Sequence, residues 1–193
     1  MENASQNDDF ITTLSQLYQI FDRLNSECGR HCNKCNDLDC AGYIWLLPEE
    51  AEKLLENDVD IIEVNQNTHF INSFEKSDGT IDLTQKYPRC IHQCPNTNKC
   101  LIHKNRPLTC HMYPIGPETI NGQDMWICHC ECEFIRYLIS NNAIDDYVLN
   151  AKNILRRIDK KLYDEIIQVY KDMNYIMDST EQINEKYIVI QNM

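Results

Sequence analysis

Cysteine and histidine are the residues of this chain that are best suited to chemistry, with 11 and 6 copies in 193 residues. The segment from Tyr87 to Pro114 places four of the cysteines beside three histidines. These cysteines are Cys90, Cys94, Cys100 and Cys110. Thiolate and imidazole groups are the ligands that zinc, iron-sulfur clusters and copper(I) take in proteins. We therefore interpret this segment as the centre of a metal site. The alternative is a loop with scattered structural cysteines.

The charge of this region also suits a metal site. No Asp or Glu occurs from Leu83 to Pro117, although the chain has 30 acidic and 18 basic residues. The cations in this window are Lys86, Arg89, Lys99, Lys104 and Arg106. Because thiolates bound to a metal leave a negatively charged centre, an environment with cations and without carboxylates favours it.

Two further cysteine clusters lie on either side of this segment. The first contains Cys28, Cys32, Cys35 and Cys40, and the second contains Cys128, Cys130 and Cys132. A zinc ribbon needs two close C-x-x-C pairs, and this chain has one. Irregular spacing in three distant segments is typical of a cluster wrapped by loops. We therefore favour an iron-sulfur cofactor, such as a 4Fe-4S cluster, over zinc, and we count all 11 cysteines as candidate metal ligands.

Five of the six histidines lie within three residues of a cysteine. They are His31, His92, His103, His111 and His129. Such histidines bind the metal together with cysteine or donate hydrogen bonds to its ligands. For any single one, a hydrogen-bonded loop histidine is the alternative interpretation.

The overall composition indicates a cytoplasmic protein of one domain, residues 1–193. The net charge of -12 and the pI near 4.8 disfavour a nucleic-acid partner. The sequence contains no apolar run of membrane-spanning length, and MENASQNDDF has no basic region followed by an apolar stretch, so we expect no signal peptide. In a reducing compartment clustered cysteines are metal ligands or redox groups. A disulfide framework is the alternative, and the odd number of cysteines argues against it.

Hydrophobic periodicity and turn residues predict the elements around these clusters. We expect helices at 8–26 and 48–57, a hairpin at 60–72, a hairpin turn at Asn121-Gly122 and a final strand at 187–190. From Glu133 an apolar stripe with three- or four-residue spacing predicts helices that pack on a core. The fold class is α+β, mainly α, with a small irregular metal-organised core at 8–132 that contains short hairpins. An N-terminal helix and a long helical part at 133–180 flank this core.

The run CLIHKNRPLTCHMYP resembles the YkgJ-type cysteine-cluster family, a zinc- or iron-chelating domain. The matching positions are Cys100, Ile102, Arg106, Pro107, Cys110, Tyr113 and Pro114. Cys90 falls where the family has its preceding cysteine, and the segment from Cys28 to Cys40 falls where it has an N-terminal cysteine run. The resemblance covers about residues 28 to 130.

The chain departs from that family pattern at several positions. His103 replaces a Tyr, His111 replaces an Arg, and Cys40 lies five positions beyond Cys35 instead of adjacent to it. Cys94 and the C-x-C-x-C cluster are additional. Arg106 is the candidate cofactor-binding residue, because its guanidinium can donate to a cluster sulfur or a backbone carbonyl.

Three functions are compatible with these observations. The first is an iron-sulfur protein that transfers electrons or assists a maturation or modification complex, with a protein partner. The second is a zinc-stabilised protein-interaction module. The third is implied by the resemblance alone, since the family includes flagellin lysine N-methylases. The chain has five glycines and no G-x-G arrangement, so an ordinary nucleotide loop is not indicated and enzyme activity stays undecided.

Overall fold

The computed structural model describes residues 10–31, 43–65, 67–85, 88–177 and 186–193, with the backbone alone at 65 and 174–177. Within these ranges the chain forms six α-helices and two three-stranded sheets, all of whose strand pairs are antiparallel. Three of the predicted ligands, Cys32, Cys35 and Cys40, lie outside the described residues. The α+β class is therefore confirmed, whereas the metal-organised core stays a prediction.

The first helix, α1, spans Leu14–Leu24. The hydroxyl of Thr13 accepts from the backbone N–H of Gln16, and this cap starts the helix. The predicted start at residue 8 was wrong for residues 10–13, because Ile11 forms a parallel bridge with Ile158 and is held in an extended conformation. The helix buries Leu14, Leu17 and Phe21, three residues that share one face.

The first sheet is small and lies next to the second helix. Its elements are β1 (Trp45–Leu46), α2 (Pro48–Leu55), β2 (Ile61–Asn65) and β3 (Thr68–Ile71), with strand order β1-β3-β2. Phe70 of β3 is opposite Trp45 on one side and Ile62 on the other. The helix and the hairpin that we predicted here are both confirmed.

The second sheet follows a short helix and includes the C-terminal strand. The elements are α3 (Leu108–Met112), β4 (Ile115–Ile120), β5 (Gln123–His129) and β6 (Tyr187–Asn192), with strand order β4-β5-β6. Asn121 and Gly122 have φ values of 52° and 76°, so they form the predicted two-residue turn. The predicted final strand is confirmed as β6, which pairs with β5.

Three helices lie between the two strands of that pair in the sequence. They are α4 (Glu133–Ser140), α5 (Ile144–Arg157) and α6 (Lys160–Met177). The stripe predicted to pack on a core does so, since Ala151, Leu155, Leu162 and Ile166 are buried in the main hydrophobic cluster. The break between α5 and α6 occurs where Asp159 donates its backbone N–H to Ile11. Within the described residues, no helix is long and apolar enough to span a membrane.

Candidate metal centre

The first group of cysteines gathers around Tyr147 of α5. Cys28 follows α1, and Cys128 and Cys132 lie at the end of β5 and the start of α4, 100 positions further along the chain. Burial raises the pKa of the Tyr147 hydroxyl, and negative charge at Cys128, Cys28 and Cys132 raises it further. The three sulfur atoms are thus close enough to Tyr147 for their charges to act on it.

This group lies at the main core, with two of its cysteines buried and two partly buried. Cys128 is fully buried, Cys132 is 3 % exposed, and Cys28 and Cys130 pack against the same cluster. Burial raises the pKa of the Cys128 thiol, and the neighbouring thiols of Cys130 and Cys132 add to this rise. Strand β5 ends at His129, and the chain turns at Cys130 before Cys132 caps the start of α4, so the C-x-C-x-C sequence lies at the junction of β5 and α4.

The second group is built on a small loop hairpin. Gln93 and Cys100 form an antiparallel bridge, and Leu101 donates its backbone N–H to His92. This pairing brings Cys90 close to Cys100, whose charge contributes to the raised pKa of the Cys90 thiol after the larger effect of burial. Cys110 of α3 packs against the same minor hydrophobic cluster as Cys90. The sequence-predicted ligands Cys90, Cys100 and Cys110 therefore share one region of the fold.

Cys94 lies at the turn of that hairpin. The hydroxyl of Thr97 lowers the pKa of its thiol, with help from the backbone N–H groups of Asn96 and Thr97 and from the charge of Arg89. Unlike Cys90, it is outside the minor hydrophobic cluster. The surroundings of Cys94 therefore favour the thiolate without a metal.

The donor set fits a thiolate-bound metal, but the described part of the chain does not contain a complete site. No three Cys, His, Asp or Glu side chains among the described residues are arranged to hold a metal ion. Each group would need further ligands, and Cys32, Cys35 and Cys40 lie in the undescribed segment that directly follows His31. Four sulfur ligands are the usual requirement of both structural zinc and iron-sulfur clusters.

Arg106 and His111 are joined by a carboxylate that the sequence did not identify. Asp22 of α1 accepts at Oδ1 from Nη2 of Arg106 at 2.5 Å and lies 2.6 Å from Nδ1 of His111. Arg106 also donates to the backbone carbonyl of His103 at 2.8 Å. Burial lowers the pKa of His111, and the Asp22 hydrogen bond partly reverses this. The Arg106 guanidinium, which was predicted to bind a cofactor, thus contacts Asp22 of α1. Burial raises the pKa of the Cys100 thiol, and the charge of Arg106 offsets part of this rise.

A second carboxylate, Glu50, connects three helices. It is 4 % exposed and accepts from the backbone N–H groups of Leu47 at 2.9 Å and Leu108 at 2.5 Å. The hydroxyl of Tyr18 donates to it at 2.5 Å, and the Tyr18 ring stacks on His111 with centroids 4.4 Å apart. Helix α3, which carries Cys110, is therefore held by polar contacts to both α1 and α2.

Asn25 provides the third connection between distant segments. Its amide nitrogen donates to the carbonyl oxygens of His111 at 2.8 Å and Tyr113 at 3.1 Å, and its carbonyl oxygen accepts from the Tyr147 hydroxyl at 2.7 Å. Asn25 is 9 % exposed. It therefore lies between Tyr147, next to the first group of cysteines, and the end of the helix that carries Cys110.

The remaining cysteine-adjacent histidines have separate environments. His31 contacts the rings of Tyr137 and Phe134, with centroids 4.8 Å and 5.7 Å away. His129 stacks on Tyr113 at 5.8 Å. The Nε2 atom of His92 is buried and has no hydrogen-bond partner among the described residues. Burial also lowers the pKa of His92, so the neutral ring is favoured, which is the form that binds metals.

Comparison of the chain with protein-family models, curated proteins and solved structures gives no match. The resemblance to the YkgJ-type family therefore stays a prediction that rests on the residues from Cys100 to Pro114. Function has to be inferred from the geometry of the two cysteine groups and of the groups around them.

Proposed function

We propose that this protein is a cytoplasmic metal-binding cysteine-cluster protein of the YkgJ type with an iron-sulfur centre. The observation that supports it most is that Cys28, Cys128 and Cys132, from two distant segments, all contact the one hydrophobic cluster that contains Tyr147. A cluster wrapped by loops requires thiols from separate stretches of chain in one region of the fold. When bound, such a centre supplies electron transfer.

The chain's own residues have defined tasks in this proposal. Cys28, Cys128 and Cys132 provide thiolates from the side of the main core. The Tyr147 hydroxyl donates to the side-chain oxygen of Asn25 at 2.7 Å, and this hydrogen bond fixes the position of the tyrosine. The main core excludes water, and exclusion of solvent is one of the means by which a protein sets a reduction potential. If the protein uses this centre to assist a maturation or modification complex, it must bind a protein partner of that complex.

The proposal is tested by anaerobic purification followed by analysis of iron, zinc and acid-labile sulfide. We expect a brown protein that contains iron and sulfide and loses its visible absorption in air. A C28S/C128S variant should lose the absorption of the centre that uses these cysteines, whereas a control variant in which Ser15 and Ser140 are replaced by Ala should retain it. A colourless wild-type protein with stoichiometric zinc and no sulfide, from cells supplied with iron, would contradict the iron-sulfur proposal.

A zinc-stabilised interaction module is the second candidate, and the Asp22–His111 contact favours it. Histidine ligands of zinc usually donate their other ring nitrogen to a carboxylate, and His111 has that arrangement at Nδ1. Its neighbour Cys110 is a predicted ligand in the same short helix. In this case H111A would lower the zinc content, whereas in the iron-sulfur case it would leave the iron content unchanged.

A further inference from the structure

A large cavity opens between the end of α1, the 3-10 turn at Cys28–Arg30, α4 and α5. Its volume is about 1270 Å³, which is larger than the usual range of about 300 to 1,000 Å³ for ligand pockets. Leu24, Phe134 and Leu138 contribute apolar surface to its wall. The cavity therefore has room for an organic molecule with several functional groups.

The charge of this cavity is opposite to that of the chain. Four of the seven arginines line it, whereas the protein as a whole has a net charge of -12. These residues are Arg23, Arg30, Arg156 and Arg157. Among the described residues that line it, Glu27 is the one acid, and it forms an exposed ion pair with Arg30 at 2.5 Å. A concave surface with one sign of charge raises the local concentration of the opposite ion.

Stabilisation of helix ends explains the position of single arginines, but it does not explain why several arginines line the same cavity. Arg23, Arg156 and Arg157 lie in the last turn of α1 or α5, where a cation stabilises a helix through its dipole. That effect does not require the ends of different helices to face one cavity. Moreover, Arg23 and Arg156 have no carboxylate partner in the described parts of the chain, and both are exposed. Their guanidinium groups are available to an incoming anion.

The cavity also has aromatic rings in its wall. The His31 ring lies 4.8 Å from the ring of Tyr137, and Tyr137 is 49 % exposed. Both residues line the cavity, together with Tyr147. Aromatic faces of this kind stack on flat ligand groups.

We propose that this cavity binds a small organic polyanion, with phosphate or carboxylate groups held by Arg23 and Arg156 and a planar body against His31 and Tyr137. Guanidinium groups bind phosphate and carboxylate oxygens through paired hydrogen bonds, and the arginine fork is pre-organised for them. The arginines and the rings of His31 and Tyr137 line one concavity, so a small molecule that has both anionic and flat groups can contact all of them. This inference does not depend on whether the cysteines hold iron or zinc.

Isothermal titration of the full-length protein with three probes tests the ligand class. An adenosine bisphosphate carries phosphates on a planar base, isophthalate carries two carboxylates on a ring, and adenosine is uncharged. We expect one or both anions to bind at least tenfold more tightly than adenosine, and their order identifies the phosphate or the carboxylate class. Equal binding of adenosine, or no binding of either anion at concentrations of about 5 mM, would overturn the proposal. Iron and zinc are measured before and after titration, so that removal of metal is not mistaken for binding.

A pair of double variants with equal charge tests the location. R23E/R156E should weaken anion binding by at least tenfold, because each substitution removes a charged hydrogen-bond donor and adds a carboxylate that repels the anion. K160E/K161E changes the net charge equally at exposed positions outside the cavity, and it should weaken binding by less than about threefold. Equal weakening by both variants would overturn the assignment to this cavity. R23Q/R156Q replaces the charge-reversal variant if circular dichroism shows that the latter is unfolded.

Discussion

The Nδ1 atom of His111 lies 2.6 Å from Oδ1 of Asp22, although the two residues are 89 positions apart in the sequence. The same oxygen accepts from Arg106 at 2.5 Å. The Asp22 side chain is 44 % exposed, whereas that of His111 is 6 % exposed. One partly exposed carboxylate of α1 therefore orients two side chains of the segment that contains Cys100 and Cys110.

D22A should lower the free energy of unfolding by about 1 to 2 kcal/mol. The buried His111 nitrogen loses its acceptor, which is costly, while the ion pair with Arg106 is partly screened by water and contributes less. Urea unfolding measures the change. D164A removes a carboxylate from the exposed pair with Lys160 and serves as the control, with an expected loss below about 0.5 kcal/mol. Equal effects of the two substitutions would show that the contacts of Asp22 do not stabilise the fold.

E50Q should change how stability depends on pH. Burial raises the pKa of Glu50 above its ordinary value of 4.5, and the hydrogen bonds from Tyr18, Leu47 and Leu108 offset part of this rise. The native state then holds the proton of Glu50 more tightly than the unfolded chain does. Wild-type stability therefore falls as the pH rises from the unfolded-state pKa of Glu50 through its higher native-state pKa. E50Q lacks this titration. The wild-type stability minus that of E50Q should therefore fall as the pH increases above 4.5.

Urea unfolding of both proteins at several pH values measures that difference. E49Q is the matched control, since Glu49 is the exposed neighbour in the same helix. The difference between wild type and E49Q provides the baseline for an exposed Glu→Gln substitution in this helix. If the difference in free energy of unfolding between wild type and E50Q does not change with pH, the pKa of Glu50 is not raised.

N25D should destabilise the protein more than N25A. The amide nitrogen of Asn25 faces the carbonyl oxygens of His111, Met112 and Tyr113, so a carboxylate there would place negative charge against acceptors in a buried site. We expect N25A to cost about 2 to 4 kcal/mol, because it leaves several buried groups without partners. We expect N25D to cost more. Thermal unfolding followed by circular dichroism measures both effects, with N150D as an exposed control on α5. A smaller loss of stability in N25D than in N25A would contradict the assigned orientation of the amide.

Local signals explain which parts of the fold the sequence predicts. Pro48 starts α2, and Asn121-Gly122 adopts the positive φ angles that its turn requires. The start of α1 was placed too early because the bridge between Ile11 and Ile158 is a long-range contact. The region from Leu83 to Pro117 lacks acids in sequence, yet the fold brings it Asp22 and Glu50 from two other helices. Such contacts depend on tertiary packing, and a window of sequence around the cysteines cannot reveal them.

The two cysteine groups should behave as separate metal centres. Cys28 and Cys128 belong to the main hydrophobic cluster, whereas Cys90 and Cys110 belong to the minor one. Substitutions within one group should not be additive, because the first removes a ligand that the centre requires. C28S, C128S and C28S/C128S should therefore lose similar amounts of metal per chain. C90S, C110S and C90S/C110S should likewise agree with one another.

Substitutions across the groups should be additive, so C128S/C90S should lose the sum of the two single losses. Metal content per folded chain is measured by inductively coupled plasma mass spectrometry after anaerobic purification, with thermal unfolding to confirm that each variant is folded. If C128S and C90S each remove all of the metal, a single centre uses both groups. Such a centre would have to span both clusters, and the undescribed segment with Cys32, Cys35 and Cys40 would be the place to look for its remaining ligands. Full metal content in both C90S and C110S would instead remove the second group from the list of ligands.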